Sequence, residues 1–205
     1  MSTSASVASP QLYLGIEGGG TRTVALLADA HERLLQRQEF GPGNLKLLKD
    51  VELVRHFRAI SKAFPCPSAM AIGLAGAREE KDWQGIRTAA ARVWPGIPCH
   101  ATNDLETALA AAPQAMGRDQ FTRSAATVVV LSGTGSCCYG RALNGTIAKF
   151  GGWGHLLGDK GSGYEIGLRA LKAVVYYLDR DAEWSGLGRR LLRALQLNEP
   201  NELIG

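Results

Sequence analysis

The chain has 205 residues, of which 45% are hydrophobic and 20% charged, enough apolar content to bury a sizeable core in one or two domains. Its net charge of +4, from 23 basic and 19 acidic residues, is small and scattered, which argues against a nucleic-acid binder. No apolar run approaches membrane-spanning length, so a membrane partner is not expected either.

Met1–Pro10 is Ser/Ala-rich, lacks the basic start and apolar stretch of a signal peptide, and reads as a disordered tail. The first lobe is expected over residues 11–115. It starts with strands at Leu12–Glu17, Thr23–Ala28 and Leu34–Phe40. Between the first two lie Gly18, Gly19, Gly20 and Thr21. Glycine admits φ > 0 and close approach of a ligand to the main chain, and successive bare N–H groups form an anion-binding concavity. Threonine hydroxyls add donors. Glu17, at the end of the first strand, could hold a metal ion through water. A turn of this composition can grip the phosphates of a nucleotide.

The loop Gly41-Pro42-Gly43-Asn44 is expected to open a helix running to about Phe64, with a stripe of Leu48, Val51, Val54, Phe57 and Ile60. Pro65 and Pro67 stop it. Ala69–Leu74 reads as a strand ending in Gly73-Leu74-Ala75-Gly76, where close approach to substrate and tight packing are equal alternatives. A helix over Lys81–Val93 is closed by Pro95-Gly96, and a short strand follows at Pro98–Ala101. Thr102-Asn103-Asp104 then caps a small helix, Leu105–Ala112.

Pro113–Ser124 lacks apolar periodicity and reads as a lobe boundary. A second lobe, expected over residues 124–205, restarts the pattern with strands at Thr127–Leu131, Ser136–Ala142 and Thr146–Phe150. Ser132-Gly133-Thr134-Gly135-Ser136 joins the first two of these. Strand, Gly/Thr turn, strand thus occurs twice, about 115 residues apart, close to one domain length. Two phosphate hairpins facing each other across a cleft mark a two-lobed nucleotide-binding fold. Asn144-Gly145 reads as a two-residue hairpin turn. A Gly-rich loop, Gly151 to Gly163, follows, and Ser162 with Glu165 forms a capping box for a helix to about Leu178. That helix is apolar on most sides and is expected to be buried. Leu187–Leu197 is one more helix.

Cys66, Cys99, Cys137 and Cys138 show no Cys-x-x-Cys spacing, and His31, His56, His100 and His155 are dispersed. Neither a zinc site nor a disulfide framework is expected, and reduced thiols fit a cytoplasmic protein. Trp153 reads as a structural core residue, His155 as loop packing, and Cys137 and Cys138 as inert core thiols.

The order Glu17-Gly-Gly-Gly-Thr, Asn44, Thr102-Asn103-Asp104, Ser132-Gly-Thr-Gly-Ser and Gly151-Gly-Trp-Gly-His-Leu-Leu-Gly-Asp159 resembles the N-acetylglucosamine kinase family. That family is the sugar-kinase branch of the BadF/BadG/BcrA/BcrD ATPase group, within the actin-like ATPase superfamily. The resemblance covers about Tyr13 to Leu178, and Gly-Gly-Trp-Gly-His followed by Gly-Asp is its most specific element. It implies an α/β, two-lobed actin-like (ribonuclease H-like) fold, with β-β-β-α-β-α-β-α in the first lobe. It implies ATP and Mg²⁺ as cofactors and a small-molecule amino sugar as partner. A homodimer is compatible with it.

By the same resemblance Asp104 is the general base that accepts the proton of the attacking sugar hydroxyl; by residue type alone it is equally a plain helix cap. Asn44, Gly152 and Asp159 would hold the sugar, with helix capping and loop turning as the plainer roles of Asn44 and Asp159. Gly18–Thr21 and Gly133, Thr134 and Gly135 would hold the phosphates of ATP. The superfamily completes its nucleotide site with a later Gly-rich adenosine segment and another long helix, so the second lobe is expected to be incomplete at Gly205. Two other readings stay open: a BadF-type ATPase that activates an iron–sulfur enzyme, and a non-catalytic sugar-binding fragment.

Overall fold

A computed structural model describes residues 11–112 and 126–204; the expected tail and the expected boundary at Pro113–Ser124 lie outside the described residues. Strands β1 (Leu12–Gly18), β2 (Thr23–Asp29) and β3 (Leu34–Phe40) form an antiparallel meander. Helix α1 (Asp50–Ala63) leads to β4 (Ala69–Leu74), which pairs parallel with β1. Helix α2 (Glu80–Ala91) leads to β5 (Cys99–Thr102), parallel to β4. The sheet order is β3-β2-β1-β4-β5. Helix α3 (Asp104–Ala110) starts directly beyond the end of β5.

Side chains alternate across a strand, so each strand can send one set into a core. Leu14 and Ile16 of β1, Ala25 and Leu27 of β2 and Ile72 and Leu74 of β4 do so. They meet Leu53, Val54, Phe57 and Ile60 of α1 and Ile86, Ala89 and Ala90 of α2. Phe57 is fully buried, its ring 6.0 Å from that of Trp94.

The helix after the Gly41–Asn44 loop begins later than expected. Residues 45–47 are a turn, and the helix starts at Asp50, with the Lys49 N–H donating to Glu52 Oε2 at 2.8 Å. The 3.6-residue period survives, but its face is rotated: Leu53, not Val51, lies in the core, and Val51 is exposed.

The second sheet has the order β6-β7-β8, with β6 (Ala126–Ser132), β7 (Ser136–Ala142) and β8 (Ile147–Gly151). The turn between β7 and β8 differs from the expected two-residue form. Ala142 N–H reaches Thr146 O at 2.9 Å, enclosing three residues, of which only Gly145 has positive φ. A three-residue loop ending in a left-handed residue is the next most common hairpin connection.

Helices α4 (Gly163–Asp181) and α5 (Gly186–Leu195) follow and pack on one another. Ser162 caps α4 as expected, its Oγ accepting from Glu165 N–H at 3.2 Å. The Glu165 carboxylate instead accepts from Gly161 N–H and pairs with Arg169. The expected burial of α4 is overturned: of its side chains only Val174 is buried, while Ile166, Tyr176 and Tyr177 are exposed. An all-round apolar helix needs partners on every side, and here one face has them.

Chain contacts divide the molecule into two compact units. The first runs to Val129 and includes Arg141–Thr146; the second comprises Val130–Gly140 and the residues from Ile147 onward.

Candidate functional site

In the first unit, β1, β4 and β5 are parallel, so their C-terminal ends share one edge of the sheet, where open α/β sheets bind ligands. Glu17 and Gly18 close β1, Gly73 and Leu74 close β4, and Thr102 closes β5. The turn after β1 is tight, with Gly19 N–H donating to Arg22 O at 2.8 Å.

The glycines serve this hairpin through close approach rather than positive φ. None of Gly18, Gly19 and Gly20 has positive φ. A Cβ on Gly18 would lie 2.7 Å from Leu74 Cδ2 and 2.9 Å from Gly43 O. The loop after β3 is seated directly on the hairpin: Gly43 N–H donates to Gly19 O at 3.0 Å, and Leu45 N–H to Ala75 O at 2.8 Å. Asn44 stands in this loop, six residues before α1 begins at Asp50, and its Oδ1 accepts from Lys46 N–H at 2.9 Å, so it shapes a turn. The Gly73–Gly76 segment packs on protein. A Cβ on Gly73 would lie 2.4 Å from Thr107 Cγ2 and 2.7 Å from Asn103 O.

The helix-cap role considered for Asp104 belongs to its neighbour. Asn103 is the N-cap of α3, its Oδ1 accepting from Glu106 N–H at 2.9 Å, and Asp104 is the first helical residue. Asp104 and Glu17 sense each other. Burial, then the Asp104 carboxylate, pushes the Glu17 carboxyl above its usual range, against the opposing pull of Arg22. An acidic group whose proton affinity is raised by a second carboxylate suits a site for a hard cation or a proton-accepting role.

One pair had no sequence signal. Thr23 is fully buried, and its Oγ1 lies 2.8 Å from His56 Nε2 of α1, tying that helix to the base of the hairpin. A contact across 33 positions has no local pattern to announce it. Burial holds the His56 imidazole below its usual proton affinity.

In the second unit the hairpin between β6 and β7 is closed by Gly133 N–H to Gly135 O at 2.9 Å. Gly133 and Thr134 are exposed, and a Cβ on Gly133 would meet nothing. Asp159 and this hairpin are brought together: Ser136 N–H donates to Asp159 Oδ1 at 3.2 Å, and a Cβ on Gly135 would lie 2.9 Å from Asp159 Oδ2. Around this contact Ser132 Oγ donates to Gly161 O at 2.9 Å, Ser136 Oγ to Lys160 O at 2.8 Å, and Gly163 N–H to Gly133 O at 2.8 Å. Gly152, at φ +71°, donates its N–H to Ser136 O at 3.0 Å.

Trp153 is 74% exposed, which overturns its assignment to a core; the loop around it lacks the strands and helices that would cover an indole. His155 is also exposed, its ring 4.9 Å from that of Tyr164. Cys137 and Cys138 are half-buried and form no disulfide. Among the described residues no cluster of three His, Cys, Asp or Glu could hold a metal, and no helix is long and apolar enough to cross a membrane.

Residues 14–186 match the BadF/BadG/BcrA/BcrD ATPase family. The chain belongs to that family. Over 199 residues it is 32% identical to the N-acetylmuramic acid/N-acetylglucosamine kinase of Clostridium acetobutylicum, a match covering 93% of this chain and 62% of that protein. It is 27% identical to the N-acetyl-D-glucosamine kinase of Dictyostelium discoideum, covering 96% of this chain and 64% of that protein. The chain therefore spans less than two thirds of the length of either relative. Among solved structures it resembles a Chromobacterium violaceum protein provisionally assigned as an N-acetylglucosamine kinase, with a TM-score of 0.74 at 24% identity, covering 95% of this chain and 67% of that one. It also resembles MamK bound to AMPPNP, with a TM-score of 0.50 at 14% identity, covering 86% of this chain and 61% of that one. These likenesses establish the actin-like α/β fold of the family.

Proposed function

We propose that this family member acts in the ATP-dependent phosphorylation of an amino sugar, transferring the γ-phosphoryl group to the 6-hydroxyl of N-acetylglucosamine or a close relative. The observation that carries the reading is the placement of Asp104. It lies beyond the C-terminal end of β5 as the first residue of α3, and its carboxylate raises the proton affinity of Glu17 at the same sheet edge. Phosphoryl transfer needs mainly positioning, charge stabilisation and an acceptor for the hydroxyl proton. Asp104 takes that proton as the bond to phosphorus forms. Asn44 and, in the second unit, Gly152 and Asp159 hold sugar hydroxyls. The Gly18–Thr21 and Gly133–Gly135 hairpins hold phosphate oxygens through the donors left over once Gly19 N–H and Gly133 N–H have closed the turns on Arg22 O and Gly135 O.

The paired carboxylates Glu17 and Asp104 offer hard oxygen donors of the kind that hold Mg²⁺ through water. Bound there, Mg²⁺ would neutralise charge on the β and γ phosphates. The 32% identity to a kinase named for both N-acetylmuramic acid and N-acetylglucosamine favours these two sugars as acceptors. The four cysteines, none of them in a disulfide, support a reducing, cytoplasmic setting.

A coupled ADP-release assay across N-acetylglucosamine, N-acetylmuramic acid and glucosamine tests the reading. Sugar-dependent release, with the product identified as the 6-phosphate, supports it. ATP hydrolysis indifferent to every sugar would overturn it. In that case a brown, absorbing protein after anaerobic iron–sulfur reconstitution would instead support an activator ATPase. The half-buried Cys137-Cys138 pair on β7 is poorly presented for such a cluster.

A further inference from the structure

The second hairpin already carries an anion of its own. A phosphate-binding turn works by offering N–H groups to oxyanions. At Ser136 that offer is taken up by Asp159 Oδ1 at 3.2 Å, with the second carboxylate oxygen against the bare Cα of Gly135. The lack of a side chain at Gly135 is what lets the carboxylate in: any Cβ there would lie within 3.2 Å of all three carboxylate atoms, Oδ1, Oδ2 and Cγ. The position is strongly enforced. Asp159 is held at φ +56°, a conformation that non-glycine residues rarely adopt and that persists where surrounding structure over-determines it. Three hydrogen bonds supply that enforcement, from Ser132 Oγ to Gly161 O, Ser136 Oγ to Lys160 O, and Gly163 N–H to Gly133 O. The loop is thus clamped to the hairpin immediately after the carboxylate, at Lys160, Gly161 and Gly163.

We propose that Asp159 is a built-in competitor for phosphate at the second hairpin, occupying the Ser136 N–H until a ligand displaces it. A carboxylate oxygen accepting this N–H and a phosphate oxygen seeking the same donor exclude one another, and their like charges repel at this separation. Where Asp159 also holds a sugar hydroxyl, which rests on the kinase reading above, sugar draws the carboxylate off Ser136 and opens the hairpin to the nucleotide. Sugar and ATP then bind synergistically, and ATP held without sugar is disfavoured. Such coupling limits wasteful transfer of the phosphoryl group to water.

The two parts are separable by experiment. Inorganic tripolyphosphate is titrated at low salt into the full chain, wild type and Asp159→Asn, while the amide resonances of Gly135 and Ser136 are followed by NMR. Asn tolerates the left-handed backbone and removes the charge. Displacement of a charge-assisted hydrogen bond predicts about tenfold tighter tripolyphosphate binding in the variant. Asp159→Gly, which also fits φ +56° and leaves nothing to compete, should bind at least as tightly. Weaker or unchanged binding in both variants would show that Asp159 merely braces the hairpin, and shifts confined to other amides, or no binding to any of the three proteins, would equally overturn the proposal. Repeating the titration with N-acetylglucosamine present tests the link to sugar: the sugar should tighten tripolyphosphate in the wild type and not in Asp159→Asn. An effect of Asp159 on tripolyphosphate without any effect of sugar retains the competitor and rejects the kinase-linked coupling alone.

Discussion

The two glycine hairpins look alike as sequence and differ as structures. The first is walled in by protein: Gly18 packs against Leu74 and the backbone of Gly43, and Thr23 at its base is fully buried against His56. The second is open at its tip, where a Cβ on Gly133 would meet nothing, and at Gly135 the close neighbour is the Asp159 carboxylate. The same contrast runs through the units that carry them. The contiguous buried cluster, from Leu14 to Ala101, lies entirely in the first unit. The second exposes Phe150, Leu156, Leu157 and Ile166. A glycine can therefore be required by packing in one hairpin and by a charged side chain in the other, and glycine-rich spacing alone does not distinguish the two.

Replacing aromatic side chains tests the contrast most severely. Phe57→Ala empties a fully buried site and should cost about 3–5 kcal/mol, whereas Phe150→Ala, at 82% exposure, should stay within about 0.5 kcal/mol. Chemical denaturation of both variants reads this directly. Equal losses would show that Phe150 is covered in solution by something in the folded state.

For chemistry the contrast predicts that the base is in the first unit. Asp104→Asn should lower kcat by at least about 10²-fold while sugar affinity moves only a few-fold, because Asn keeps the shape and cannot take the proton. Asp104 starts α3 but does not cap it, so the variant should melt close to wild type. Unchanged kcat would return Asp104 to a purely structural role.

The hairpins themselves can be compared through one methyl group. Gly18→Ala drives a Cβ to 2.9 Å from a backbone oxygen and should cost about 1–3 kcal/mol by overpacking. Gly133→Ala has room and no positive φ, so its cost should stay under about 0.5 kcal/mol. A reversal of that order in thermal melts would mean the tight contact at Gly18 is absent.

The smallest effect concerns Glu17, whose carboxyl is pushed up by burial and then by Asp104. With its folded-state pKa above 4.5, the stabilisation it gives is present in acid and is lost as pH rises through that raised value. At neutral pH its charge is therefore a liability. Glu17→Gln should raise Tm at pH 7, by the equivalent of less than about 1 kcal/mol given solvent screening, and should not raise it at pH 4. The gain should shrink in an Asp104→Asn background, because part of the repulsion is already gone. A gain of equal size at both pH values would remove charge as its cause.

Much of this fold was legible along the chain because its signals are local. Strands β1 and β2 bury every second residue, and proline, glycine and cap residues mark the helix ends. The family was legible for the same reason, since its motifs are short runs around Glu17, Asp104, Gly133 and Asp159. The start of α1 was misread because Asn44 looks like a helix cap, yet its side chain closes a turn on Lys46 while Glu52 closes the true N-terminus. Burial of α4 was misread because periodicity reports which residues are apolar and not whether anything covers them.

The amino-acid sequence by itself determined the strand and helix order, the two glycine hairpins and the residue types that phosphoryl transfer needs, all of which depend on neighbours a few positions away. Only the tertiary structure decided that Gly18 is needed for packing, that Asn103 and not Asp104 is the cap of α3, that His56 braces Thr23, and that Asp159 rests on Ser136. The Asn103 cap is local, but the contacts of Gly18, His56 and Asp159 join residues whose distance in space bears no relation to their spacing in the chain. Topology alone creates such contacts, and no local period records them.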